Sequence, residues 1–100
     1  VVIVGSGPAG ANAAMELSSS GLDVLILEKA SLPRHKPCGG AMPSTVTQFI
    51  DVDISTVVSN RTPLIKVCHN YADEFQTQTS TDHAPLLVAR SQFDLFLIRH

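Results

Sequence analysis

The stretch VVIVGSGPAGANAA constrains this chain more than any other. Val1 to Val4 is a short apolar run with β-branched side chains, the pattern of a strand buried on both faces in a parallel sheet. Gly5, Gly7 and Gly10 follow in the spacing G-x-G-x-x-G. The residues after them are rich in Ala, Met, Glu and Leu, which favour helix. Pro8 suits the first helical turn, where a missing N–H costs nothing, and Gly21 stands where a helix-ending glycine belongs. Asp23 to Leu27 (DVLIL) reads as a second buried strand, closed by Glu28. That acid lies 18 positions past Gly10, near the separation of about 20 at which an acid meets a ribose. Strand, glycine turn, helix and strand together predict the βαβ start of a Rossmann-like α/β domain.

Each glycine has its own task. Gly5 permits the tight strand-to-helix turn, Gly7 lets backbone approach a pyrophosphate, and Gly10 lets helix and strand pack closely. The helix N-terminus offers N–H groups and partial positive charge to phosphates. Glu28 can accept hydrogen bonds from a ribose diol and disfavours a 2′-phosphate, so FAD or NAD outranks NADP here. An NAD domain ordinarily continues with another β–α unit after the acid, whereas residues 29–43 read as a long loop. The plain alternative is a glycine turn in an α/β domain that binds no nucleotide.

Beyond the loop, PSTVTQFI and DISTVV suggest one or two short helices. Residues 64–70 and 74–79 alternate like half-buried strands, and Asn70 to Asp73 supply the turn of a hairpin. Leu86 to Ala89 is another strand. Ser91 starts a helix, with Asp94 completing a capping-box pattern and Phe93, Phe96, Leu97 and His100 on the inner face. With 44% hydrophobic and 16% charged residues the chain is globular, not disordered. A net charge of -2 gives no footprint for nucleic acid. Cys38 and Cys68 make no disulfide framework, which favours a reducing compartment, and Cys68 reads as a buried, inert thiol. The four histidines lack metal-ligand spacing, so no metal site is expected. No apolar run reaches the roughly 18 residues that span a bilayer. The chain starts in mid-strand and ends inside an amphipathic pattern, and so reads as a piece of a longer protein.

VVIVGSGPAGANAA, LEKASLPRHKPCGGAMP and VARSQFDLFL together resemble the geranylgeranyl reductase family, flavoproteins of the p-hydroxybenzoate hydroxylase fold group. Many flavoproteins share the glycine turn; K-P-C-G-G combined with R-x-x-F-D is far more specific. The resemblance implies a Rossmann-like FAD-binding domain with an inserted β-sheet substrate domain. Residues 1–60 would be the first part of the FAD domain, 61–85 the start of the substrate sheet, and 86–100 the return. It implies FAD, recharged by NADPH or ferredoxin, and reduction of isolated double bonds in geranylgeranyl chains of chlorophyll, diphosphate precursors or archaeal-type lipids.

Carried over position by position, Gly5, Gly7, Gly10 and Glu28 hold the ADP half, with Pro8, Ala9 and Lys29 beside them in the cofactor-binding set. Arg34 and Lys36 fall near the adenosine or phosphates, or else on a solvated loop face. Cys38, Gly39 and Gly40 border the flavin, where any Cβ would collide with cofactor or substrate. Arg90 meets the ribityl-phosphate region because its strand returns to the first sheet. An isolated alkene needs a proton at the carbon opposite the hydride. Cys38 is the titratable group of its tight loop, and so a candidate proton donor or relay; Arg34, His35 and Lys36 could favour its thiolate. The bland alternative is a small residue in a crowded turn.

The expected partner is a prenyl small molecule, not nucleic acid. The expected location is cytoplasmic, with peripheral membrane contact suggested by a lipophilic substrate, although no basic amphipathic anchor is visible. Rival readings are an FAD-dependent monooxygenase or halogenase of the same fold, an NAD-linked dehydrogenase, and a non-catalytic FAD-binding fragment. The hairpin would be only the beginning of a substrate domain, so this stretch alone is expected to be inactive.

Overall fold

A computed structural model describes residues 1–100, which form two compact units. The first comprises Val1–Cys38 and Ala89–His100, the second Gly39–Val88. The boundaries read from the sequence, 60/61 and 85/86, are those of a longer protein's domains; within residues 1–100 the compact units divide at 38/39 and 88/89.

In the first unit, strand β1 (Val2–Val4) leads through the glycine turn into helix α1 (Pro8–Ser19), then strand β2 (Leu25–Leu27). The strands are parallel, with Val2 opposite Leu25, Ile3 opposite Ile26 and Val4 opposite Leu27. Pro8 occupies the first helical position. At the other end Gly21 N–H donates to Ser18 O (2.9 Å) and Leu22 N–H to Leu17 O (3.2 Å), a Schellman ending that satisfies two otherwise orphaned carbonyls. Within residues 1–100 these strands, expected to be buried on both faces, are covered on one. Val2, Val4, Leu25 and Leu27 are exposed, because α1 covers only the face that carries Ile3 and Ile26.

Helix α2 (Arg90–Arg99) packs on α1. Ala11 and Ala14 leave room for Phe93 and Leu97, which are 2% and 1% exposed. Burying each of those two side chains contributes about 1.5–3 kcal/mol. The expected Ser91 cap is absent: Ala89 is the N-cap, and no side chain caps the helix. Phe96 is only partly buried, and its ring meets the exposed His100 ring at 4.2 Å between centroids.

The second unit begins with strand β3 (Ala41–Met42) and two 3₁₀ turns, Ser44–Phe49 and Ser55–Val57, which match the short helices expected there. Strand β4 (Val58–Arg61), hairpin strands β5 (Leu64–His69) and β6 (Asp73–Gln78), a 3₁₀ turn at Thr81–His83 and strand β7 (Leu86–Val88) follow. β7 is the middle strand of a three-stranded antiparallel sheet between β3 and β4. It does not pair with β1 or β2, contrary to expectation. Ile54, Ala84, Leu86 and Val88 form this unit's small core.

The hairpin forms as expected, with Val67 opposite Phe75. Asn70 and Tyr71 both have positive φ (50° and 61°), and Ala72 N–H closes the turn on His69 O at 3.1 Å. Its strands are not half-buried, however. Every residue of both is exposed within residues 1–100, Phe75 to 65%, because no other segment of these residues covers either face. Cys68, which the flanking sequence suggested as a buried thiol, is likewise exposed within residues 1–100.

Candidate dinucleotide-binding site

The site is built around the β1–α1 turn. Gly7 is the N-cap of α1 in an extended conformation, and Pro8 brings no N–H. Ala9 and Gly10 therefore carry the first-turn N–H groups that a helix leaves without intrahelical partners. A Cβ on Gly10 would lie 2.0 Å from the Gly5 carbonyl oxygen and 3.3 Å from Ile3 Cγ2, so helix and strand touch there only because Gly10 has none.

Glu28, at the end of β2, turns its carboxylate onto this turn. Its Oε2 accepts hydrogen bonds from Ser6 N–H (3.0 Å) and Ser6 Oγ (2.8 Å), and its Oε1 accepts one from Ala30 N–H (3.2 Å). The Ser6 N–H and hydroxyl bonds hold the Glu28 carboxyl down at about 2, with smaller help from Ala30 N–H and the Arg34 charge and against partial burial. A lowered folded-state value stabilises the latch fully above the ordinary carboxyl value of 4.5, and that contribution is lost as pH falls toward 2. In an acid titration, wild type is expected to be more stable than Glu28→Gln at neutral pH, and the two curves should converge between pH 4.5 and about 2. A stability difference that is independent of pH across this window would contradict the latch.

Arg34 comes from the loop after β2. Its Nε lies 3.4 Å from Glu28 Oε2, and its Nη1 3.1 Å from Asp94 Oδ2. With 14% of its side chain exposed, it is not the solvated alternative. Arg90, at the start of α2, donates from Nε to Asp94 Oδ1 (2.8 Å) and from Nη2 to Asp94 Oδ2 (3.1 Å). The Asp94 hydrogen bonds raise the Arg90 pKa above its already high ordinary value, against partial burial and with a further hydrogen bond to the Cys38 side chain. Nη2 of Arg34 and Nη2 of Arg90 each lie 3.8 Å from where a Cβ on Gly7 would be. Arg90 thus reaches the turn because α2 packs on α1, not because its preceding strand joins β1 and β2.

Two clefts flank Arg34. One of about 470 Å³ is lined by Gly5, Glu28, Lys29, Arg34, His35 and Lys36. The other, about 400 Å³, brings Arg34 and Lys36 together with Cys38 and Arg90. Both volumes lie in the range of about 300–1,000 Å³ typical of ligand pockets. Lys29, Lys36 and Cys38 are exposed at these clefts.

Gly39 and Gly40 lie in the other unit. A Cβ on Gly39 would meet nothing within 4 Å. Gly40 is buried with φ +70°, its carbonyl accepts Val88 N–H at 3.0 Å, and a Cβ would sit 1.9 Å from Val88 O. Its need for glycine is therefore met within the fold itself. Two residues of the site were missed in the sequence, Ser6 and Asp94, which are 1% and 0% exposed. Asp94 carries a visible signal in its i,i+4 spacing from Arg90, which competes with the capping-box spacing from Ser91.

A Cβ-free approach at Gly7, first-turn N–H groups and two guanidinium groups facing one point fit a dinucleotide diphosphate. A profile of the pyridine nucleotide-disulphide oxidoreductases matches residues 1–94. The chain belongs to this family. As a pyridine nucleotide-disulphide oxidoreductase family member it is 36% identical over 99% of its length to an uncharacterised protein of Methanosarcina barkeri, covering 25% of that protein. It is 40% identical over 60% of its length to the geranylgeranyl diphosphate reductase of Rhodobacter capsulatus, covering 15% of it. The solved structure of the flavin-dependent brominase Bmp2 superposes with a TM-score of 0.76 at 31% identity, over 98% of this chain and 25% of that one. The Rossmann-like fold and the resemblance to geranylgeranyl reductases read from the sequence therefore hold. The chain spans about a quarter of the length of the first of these relatives. No helix is long and apolar enough to cross a membrane.

Proposed function

We propose that the protein carrying this chain is an FAD-dependent oxidoreductase that reduces isolated double bonds of a geranylgeranyl chain, with NADPH or ferredoxin as electron donor. The observation that carries the reading is the likeness to geranylgeranyl diphosphate reductase in a chain whose glycine turn has the geometry for a dinucleotide. The FAD would supply the two reducing electrons, as a hydride to one alkene carbon. Gly7 and the first-turn N–H groups of α1 bind the diphosphate, with Arg34 and Arg90 beside it. Glu28 retains lone pairs for a ribose hydroxyl while it holds Ser6. Cys38 gives its thiol proton to the second alkene carbon, and the Arg90 guanidinium stabilises the thiolate that remains. Gly39 and Gly40 border the flavin in this reading. A prenyl substrate makes contact with a membrane surface from the cytoplasmic side part of the same proposal.

The test is anaerobic. The purified full-length protein is reduced with dithionite, freed of excess reductant and mixed with geranylgeranyl diphosphate. Reoxidation of the flavin is expected, with a product heavier by two-hydrogen steps. Cys38→Ala should slow that reoxidation by about 10²–10⁴-fold with the flavin spectrum unchanged. A second reading, a halogenase or monooxygenase, is favoured by the brominase likeness, which extends over nearly the whole chain. Flavin that stays reduced until air is admitted would select it and discard the prenyl reductase.

A further inference from the structure

We infer that Asp94 is the positioning residue for the cofactor diphosphate, holding Arg34 and Arg90 together so that one nitrogen of each faces Gly7. The inference rests on the dinucleotide reading of the glycine turn. Asp94 is fully buried, and an isolated carboxylate is costly there unless it is paired. It is not a helix cap: it lies in the second turn of α2, and Ala89 occupies the cap position. Its two oxygens are instead taken by cations. Arg90 binds both in a bidentate pair at 2.8 and 3.1 Å. Arg34 Nη1 lies 3.1 Å from Oδ2, but its N–H groups find no hydrogen-bond acceptor, so charge rather than direction holds it.

The consequence is an ordered division of each guanidinium. Arg34 points Nε at Glu28 and Nη1 at Asp94, which turns Nη2 toward Gly7. Arg90 uses Nε and Nη2 on Asp94, and the same Nη2 is the nitrogen nearest Gly7. Two like charges brought to one point repel unless an anion lies between them. Asp94 supplies that anion from behind, so the pair stays assembled before the diphosphate arrives. Adenosine lacks the phosphate oxygens that the two guanidinium groups would face, and it is linked to the arrangement only through the 3.4 Å contact of Arg34 with Glu28. A merely structural staple between α2 and the loop would affect every ligand alike.

The experiment compares two ligands of the same cradle on the flavin-free form of the full-length protein, ADP and adenosine, by titration calorimetry. Asp94→Asn is expected to weaken ADP by about 10- to 100-fold, the range for a lost charged hydrogen-bond network, with adenosine affinity changed by less than about threefold. The salt dependence of ADP binding should become shallower as well. Equal losses for both ligands, or none, would overturn the assignment. Should Asp94→Asn fail to fold, Asp94→Glu keeps the charge and moves the carboxylate by one methylene. An unchanged ratio of ADP to adenosine affinity in that variant overturns the assignment equally. A wild type that binds neither ligand would instead sink the dinucleotide reading itself, and the role of Asp94 with it.

Discussion

Gly10→Ala is expected to yield a protein that retains no flavin and melts well below wild type. In most helices this exchange would help, since Ala is favoured over Gly by about 1 kcal/mol. Here the new methyl would sit 2.0 Å from the Gly5 carbonyl oxygen, an atom of the backbone that no side-chain rotation can remove. Overpacking costs about 1–3 kcal/mol and occasionally more, and this contact belongs at or above the top of that range. The steric term therefore wins. Relief would come from moving α1 off β1, which shifts Gly7 and the first-turn N–H groups relative to the two guanidinium groups. A thermal melt and the flavin absorbance per protein check both halves of the result. A Gly10→Ala protein that is yellow and melts like wild type would refute the packing account of the cradle.

The adjacent glycines 39 and 40 should behave oppositely on substitution. Gly40→Ala combines a left-handed backbone, costing about 1–2 kcal/mol for a residue with a Cβ, with a methyl 1.9 Å from Val88 O. Its expected cost is about 3 kcal/mol or more once the clash is included, concentrated in the sheet of β3, β7 and β4. Gly39→Ala meets nothing within 4 Å, and its stability should stay within about 0.5 kcal/mol of wild type. If Gly39 is kept free of a side chain for a ligand, its alanine variant will fold normally and lose flavin or turnover. Denaturant titrations of the two variants beside their flavin content separate these roles. Equal destabilisation by both would mean that the loop is constrained differently from the structure described above.

The glycine turn, the helix after it and Glu28 were legible because each depends on neighbours close in sequence and on a backbone geometry that few residues allow. The hairpin was legible for the same reason, since Asn70 and its neighbours mark a turn between two alternating runs. What was not legible depended on distant partners. β3 is two residues long, and it is a strand only because β7 lies beside it. The exposure of Cys68 follows from what does not cover the hairpin, which no pattern around Val67 and His69 encodes. Asp94 illustrates a conflict between scales: its spacing from Ser91 fits a local cap, yet Arg34, far upstream, and Arg90 hold it in the interior. Local chemistry offered a sufficient explanation, and the tertiary one prevailed.

The first unit is discontinuous, made of Val1–Cys38 and Ala89–His100 with about 50 residues between them. Its completion awaits α2, because Phe93, Leu97 and Asp94 all arrive on that helix. During synthesis the β1–α1–β2 segment must therefore remain unfinished while the intervening stretch is made. Once closed, the same topology becomes permissive. The entropy of joining the ends grows only with the logarithm of the intervening length, about 0.6 kcal/mol for each doubling. Residues 39–88 can therefore lengthen, shorten or be replaced over evolutionary time at small cost to the cradle. A lineage can exchange the intervening unit while inheriting the one that carries the glycine turn.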